Sequence, residues 1–228
     1  MTIDISMLRR IPLFEELEDN EIANIRELIQ TRIYRKNNVI LLEEDFGDTL
    51  FIINTGSVKI TRINEDGKEV ILSILRDGEF FGEMSILDGE SRSANVIAME
   101  DSEVLILKRS DFLDLLERYP KIAFHLLEEL AQRLRRSDRH IESLSLSDAE
   151  HRVGNALLRL AEDLGVHKKG VVTIDDLPLQ QDIANMAGTS RETVSRMLKM
   201  LENKKLIERE GRILKIVNYV EFVRGFSK

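Results

Sequence analysis

Residues 180–201 read QQDIANMAGTSRETVSRMLKML. Counting from Gln180, a small Ala184 stands fifth, Gly188 ninth, Val194 fifteenth and Met197 eighteenth. That spacing predicts a helix-turn-helix. Each position has a physical reason. Ala184 lets two helices cross closely, Gly188 tolerates the positive φ of a tight turn, and Val194 and Met197 pack the second helix on the first. Ser190 stands where a hydroxyl caps that second helix. With Ser190 as cap, Arg191, Glu192, Ser195 and Arg196 fall in its first two turns, the end of a recognition helix that enters the major groove. Arginine pairs there with O6 and N7 of guanine, and a carboxylate accepts from N4 of cytosine. An Arg-Glu-x-x-x-Arg face therefore predicts a G/C-containing half-site. The plainer alternative is a solvated charged face; the cap, the turn glycine and the core spacing together argue for the DNA reader.

Downstream, LIERE and ILKIV (within 206–217) read as two strands around Glu210 and Gly211, a wing. Lys204, Lys205, Arg209, Arg212 and Lys215 stand where phosphates would pass, a contact that adds affinity without reading sequence. The charge distribution agrees. Residues 186–228 hold ten Lys/Arg and five Asp/Glu, net +5, whereas residues 1–185 hold 23 and 36, net −13, within a total of −8. An acidic body with a basic end fits a chain that meets nucleic acid at one end only.

Upstream, residues 20–32 predict a short amphipathic helix through Ile22, Ile25, Leu28 and Ile29. From Ile33 to about Lys108, short runs rich in Val, Ile, Leu and Phe alternate with turns, and glycines recur at 47, 56, 67, 78 and 89. Hairpin after hairpin predicts a β-sandwich or barrel, with Gly67 in the turn of NEDGKE. A long helix follows over about 111–145, capped by Ser110 and Asp111 and interrupted or restarted at Pro120. Within it Leu127, Leu130, Leu134, Ser137, Ile141 and Leu144 are spaced 3, 4, 3, 4, 3, the a/d seam of a two-stranded coiled coil. We expect a parallel homodimer through residues 122–144; a helix packed on its own domain is the alternative. Ser137 is the polar fault in the seam, with Asp138 beside it; it either fixes register or reaches something buried at the interface. SLSLSD (143–148) breaks the pattern, so residues 1–147 and 148–228 are read as two domains. AEHRVGNALLRLAEDLG is an amphipathic helix and HKKG (167–170) a loop.

Composition narrows the function. With 43% hydrophobic and 32% charged residues, the chain is globular. No apolar run approaches the ~18 residues of a membrane helix, and Asp4, Arg9 and Arg10 break any signal-peptide core; a cytoplasmic protein without membrane contact is expected. The absence of cysteine removes disulfides, iron–sulfur clusters and cysteine-ligated zinc. His125, His140, His151 and His167 are not at metal-ligand spacing. Neither a G-x-x-x-x-G-K-[ST] loop nor H-E-x-x-H occurs, so no enzyme is expected.

FFGEMSILDGESRSANV (80–96) places one carboxylate and one guanidinium on either side of a short turn. A Glu83–Arg92 ion pair is one reading; a ligand carrying phosphate and hydroxyls is the other. The stretch TSRETVSRMLKMLE (189–202), with FGE…RSA and the order of elements, resembles the bacterial catabolite activator (cyclic-AMP receptor protein) and fumarate-nitrate-reduction regulator family over almost the whole chain. The resemblance implies an α+β fold: an N-terminal β-roll of the cyclic-nucleotide-binding, jelly-roll type, a long dimerisation helix and a C-terminal winged helix-turn-helix. It implies that Arg191, Glu192 and Arg196 read a TGTGA-like half-site in an inverted repeat, with Thr189, Ser190, Thr193, Ser195, Lys204, Lys205 and Arg212 at phosphates. Ser195 departs from the glycine often found there. It further implies that Glu83 takes the ribose 2′-hydroxyl of cyclic AMP, and that Arg92 pairs with the cyclic phosphate beside Ser93 and the backbone of Gly82 and Met84. Ser137 aligns with a hydroxyl that contacts adenine, and Asp138 with a position of the partner subunit. A carboxylate there suits the adenine amine, suits the two adjacent donors of guanine, or turns to an arginine of the seam; cyclic GMP therefore stays open as the alternative effector. A regulator of this kind is expected to work with RNA polymerase, with HKKG in a loop where relatives touch it. Another effector, haem included, or effector-independent DNA binding is the runner-up.

Overall fold

In the computed structural model, which describes residues 4–226, the glycine-punctuated region is a set of strands. They are β1 (Gln30–Tyr34), β2 (Val39–Leu41), β3 (Thr49–Thr55), β4 (Ser57–Ile63), β5 (Glu69–Arg76), β6 (Phe80–Phe81), β7 (Asn95–Ala98) and β8 (Ser102–Lys108). They form two four-stranded sheets, β1-β8-β3-β6 and β2-β7-β4-β5. Strand β3, TLFIINT, shows why its middle, Leu50 to Ile53, is apolar without alternation. Phe51 and Ile53 face Val58, Val96 and Ala98 of the other sheet. Leu50 and Ile52 face a second core built with helices α1 (Ile5–Leu8), α2 (Asp19–Leu28), α4 (Arg109–Arg118) and the start of α5 (Pro120–Leu146). A strand covered on both faces loses the polar–apolar alternation that marks a half-exposed one.

Several local expectations are met with adjustment. Helix α2 stops at Leu28 and β1 starts at Gln30, earlier than the reading of 20–32, because Thr31 and Ile33 are β-branched and take up the ladder with β8. Tyr119 leaves helical geometry before Pro120, so the long helix is α4 followed by a separate α5. The HKKG segment is a hairpin rather than a loop: β9 (Val166–Lys168) pairs with β10 (Val171–Ile174), and Lys169 and Gly170 take positive φ between them. Helix α9 (Tyr219–Phe226), which buries Phe222, was not anticipated.

The chain divides into two compact units, one holding the residues up to Arg62 with Leu72–Arg135, the other Ile63–Ile71 with the residues from Arg136 on. The second contains α6 (Ala149–Leu164), the sheet β11-β12-β10-β9, α7 (Gln180–Ala187) and α8 (Arg191–Asn203), with β11 (Ile207–Glu210) and β12 (Ile213–Ile216) as the wing. Helix α6, amphipathic in the sequence, buries Val153, Ala156, Leu157 and Leu160, with Leu164 half-buried at its end. The seam of α5 is divided. Ile122 and Leu126 are buried, and Leu130, read as a seam residue, packs half-buried on the core of the first unit. Leu127, Leu134 and Ile141 are 65%, 64% and 61% exposed, an open apolar row along the helix.

In the second unit, burial and then the nearby Arg159 guanidinium hold the His140 imidazole down, from 6.5 to about 4. The folded protein keeps this ring neutral where the unfolded chain protonates it, so the contribution of His140 to stability falls as pH drops through that window and changes no further below it. Urea midpoints at pH 7 and pH 4.5 should show this loss, and His140→Gln should lessen it.

Candidate nucleotide pocket and DNA-reading face

The cassette is assembled by glycines. Gly82 ends β6 in the left-handed region (φ 80°) and starts the short helix α3 (Glu83–Asp88), which Gly89 closes in the same conformation. The return loop carries Arg92, only 4% exposed. Its Nη1 donates to the Gly82 carbonyl and to Ser85 Oγ, both at 2.8 Å. Its Nη2 donates to the Thr49 carbonyl at 2.8 Å and to Thr49 Oγ1 at 3.2 Å. A side chain on Gly47 would collide with Nε and Cζ of the same guanidinium. All four acceptors are neutral. Burial pulls the Arg92 pKa down, and the carboxylates of Asp48, Glu83 and Asp45 oppose that from longer range; the group remains a cation at any physiological pH.

Glu83 is buried as well, and its partner is not Arg92. Its Oε1 meets Arg133 Nη1 at 3.2 Å. Arg133 also donates from Nη2 to the Phe80 carbonyl at 2.7 Å, pairs through Nε with Glu129 at 3.1 Å, and lies 4.5 Å over the Phe80 ring. This replaces the ion-pair reading of the 80–96 stretch. The sequence offered one hint of Arg133, its i, i+4 spacing from Glu129; nothing local linked it to a glutamate fifty positions earlier. Thr49 and Ser85 were likewise missed, being partners only through the fold. Ser93 is exposed, and its hydroxyl stands 3.6 Å from the sulfur of the half-exposed Met84. Ser137 and Asp138 are both exposed on α5.

The DNA-reading element has the expected local geometry. Gly188 takes φ 58° as the C-cap of α7, and Ser190 Oγ accepts from the Thr193 amide at 3.3 Å as the N-cap of α8. Ala184, Val194 and Met197 are buried, while Arg191, Glu192, Ser195 and Arg196 are exposed and Thr189 and Thr193 half-buried. Hydrogen bonds from its own amide and from Ser190 hold the Glu192 carboxyl below the usual range, so it is an acceptor at neutral pH. Lys204 and Lys205 are exposed just past α8, Lys205 with φ 55°. Arg212, expected at a phosphate, has its Nε 2.8 Å from Asp176 and donates through Nη2 to the Leu177 carbonyl at 3.0 Å, so its charge is already partnered at the base of the wing. Arg209 grips Glu202 with two bonds of 2.8 and 2.9 Å.

A roll with a guanidinium-centred cassette, followed by a long helix and a winged helix-turn-helix, defines an effector-binding transcription regulator. A cyclic nucleotide-binding domain model matches residues 31–119, and a Crp-like helix-turn-helix domain model matches residues 151–221. The chain is 39% identical over 190 residues to the cyclic AMP receptor protein of Thermus thermophilus, covering 83% of this chain and 85% of that one. It is 31% identical to a CRP-like cAMP-activated global transcriptional regulator of Mycobacterium tuberculosis, covering 90% and 92%. The solved structure of FixK2 from Bradyrhizobium japonicum superposes with a TM-score of 0.76 at 26% identity, over 86% of this chain and 96% of that one. The chain belongs to the CRP/FNR family of cyclic-AMP-receptor-like transcription factors, a non-catalytic DNA-binding family in which dimerisation is typical. Among the described residues no helix is long and apolar enough to cross a membrane, and no cluster of His, Asp and Glu could hold a metal ion.

Because the Arg92 guanidinium is pinned by four hydrogen bonds, it cannot step aside for a larger residue 47. Gly47→Ala should destabilise the roll by about 1–3 kcal/mol, the usual cost of overpacking, and lower the temperature of thermal unfolding by several degrees.

Proposed function

We propose that the protein is a homodimeric regulator that binds cyclic AMP in each roll and, so loaded, binds an inverted-repeat TGTGA-like site. The observation that carries this is Arg92: a buried cation whose close contacts are all neutral, beside a glycine that lets backbone approach. Such a group favours an anion that brings its own charge: a cyclic phosphate is met by the Nε–H that these bonds leave over, or takes Nη donors in exchange for a neutral acceptor. Gly82, Met84 and Ser93 border the phosphate. Glu83, held by Arg133 through Oε1, offers Oε2 to the ribose 2′-hydroxyl. Ser137 and Asp138 carry the choice of base. The carboxylate of Asp138 favours keeping cyclic GMP as the second reading, since guanine presents two adjacent donors.

On DNA, Arg191, Glu192 and Arg196 read base edges, and Thr189, Ser190, Thr193, Ser195, Lys204 and Lys205 take phosphates. Arg212 would have to release Asp176 to join them. The open row Leu127, Leu134 and Ile141 supports dimerisation along residues 122–144. Nucleotide acts by binding the DNA-competent arrangement better than the other. RNA polymerase is the expected protein partner.

Anisotropy of a labelled TGTGA…TCACA duplex at one fixed salt concentration tests this, with no nucleotide, with cyclic AMP and with cyclic GMP. Tighter binding with cyclic AMP alone is expected, and Arg92→Ala should abolish the difference; equal binding in all three conditions refutes the gate. The two DNA roles separate by a second comparison. Arg196→Ala should cost about 1–3 kcal/mol and relax selectivity at one base, while Lys204→Ala weakens all sequences alike and lowers the salt slope by about one.

A further inference from the structure

The end of α5 is fastened to the helix-turn-helix through α6 and by Leu144. Arg152, in the first turn of α6, donates from Nε to the Ala187 carbonyl at 2.9 Å and from Nη2 to the Gly188 carbonyl at 3.3 Å. Its Nη1 donates to the Ser147 carbonyl at 3.0 Å, one residue beyond α5. One turn further along α6, Asn155 Nδ2 donates to Ser143 Oγ at 3.0 Å. Leu144 packs so closely on the turn that a Cβ added to Gly188 would stand 3.2 Å from its Cδ2.

We infer that Arg152 is the positioning residue that sets the angle between the recognition helix α8 and the end of α5. The carbonyls of Ala187 and Gly188 are left over at the C-terminus of α7, where the helix dipole favours a cation. The guanidinium carries five donors in a rigid plane and so holds carbonyls from two elements at once. Helix α8 starts at Arg191, three residues past Gly188, so its direction follows from where that turn is held. In a dimer joined along α5, two-fold symmetry repeats the angle, and the angle then fixes the separation of the two recognition helices. Arg152 thereby selects the spacing between half-sites without touching DNA or nucleotide. This rests on the reading of the protein as a dimer on an inverted repeat.

The test uses the full chain, with and without cyclic AMP, on duplexes whose TGTGA and TCACA half-sites are separated by spacers differing by single base pairs. Wild type should prefer one spacer by about tenfold or more, the equivalent of 1.4 kcal/mol. Arg152→Gln should keep its nucleotide affinity within about twofold while that preference falls to about threefold or less. Arg152→Lys should not restore it, because an ammonium is a point donor and cannot span the three carbonyls. Ser143→Ala, which removes only the Asn155 bond, should move the preference in the same direction by less, and serves if Arg152→Gln does not fold. Equal weakening on every spacer, with the preference intact, marks Arg152 as merely structural and overturns the inference. So does a wild type that binds with no spacing preference. A wild type that binds none of the duplexes removes the DNA reading itself, whereas wild-type preference retained in both variants removes the strap alone.

Discussion

A guanidinium enclosed in the roll is the constraint around which the first unit is organised. Removing a cation from water costs several kcal/mol unless its donors are used, and Arg92 uses them on the backbone of Gly82 and Thr49 and the hydroxyls of Ser85 and Thr49. Those four acceptors come from β3, the end of β6 and α3. The cation therefore ties the cassette to a central strand whose own side chains serve two cores. It also dictates the absence of a side chain at Gly47. The arrangement satisfies hydrogen bonding while leaving the charge itself without a contacting carboxylate.

The neighbouring carboxylate is handled differently. Glu83 is held by Arg133, which is itself fixed by Glu129, by the Phe80 carbonyl and by the Phe80 ring. Two arginines thus divide the labour: Arg92 ties the cassette to β3, and Arg133 orients the acid. The first turns of α5, through Ile122, Leu126 and Leu130, belong to the same core as this acid's support. The long helix is in consequence part of the ligand-binding unit before it offers its open apolar row to anything else.

The second unit relies on short-range devices. Gly188 supplies the turn, Ser190 the cap, and Ala184, Val194 and Met197 the crossing. Arginines of α6 then occupy carbonyls that α7 leaves unpaired: Arg152 at Ala187 and Gly188, Arg159 at Met186 at 3.3 Å. The charged face of α8 is left exposed as a result, since its burial is carried by the opposite side, and the basic character of this end of the chain lies where a polyanion can meet it.

What the amino-acid sequence determined alone was whatever depends on neighbours within one or two helical turns. The helix-turn-helix could be read residue by residue because its cap, turn glycine and packing positions lie within 22 residues of one another. The turn at Gly67 between β4 and β5, the Pro120 break and the amphipathic character of α6 were legible for the same reason, whereas the other recurring glycines do not join paired strands, because consecutive strands mostly pass to the opposite sheet. The cassette was visible as a stretch, and its Arg92 and Glu83 as candidates, but not their partners. The Glu83–Arg133 pair, the Thr49 contact, the division of the α5 seam around Leu130, the partnering of Arg212 with Asp176 and the Arg152 bonds to Ala187 and Gly188 join residues by closing long loops. Contacts of that kind leave no periodicity or spacing in the chain, because the side chains that make them are chosen by where the backbone returns to, and only the tertiary structure decides that.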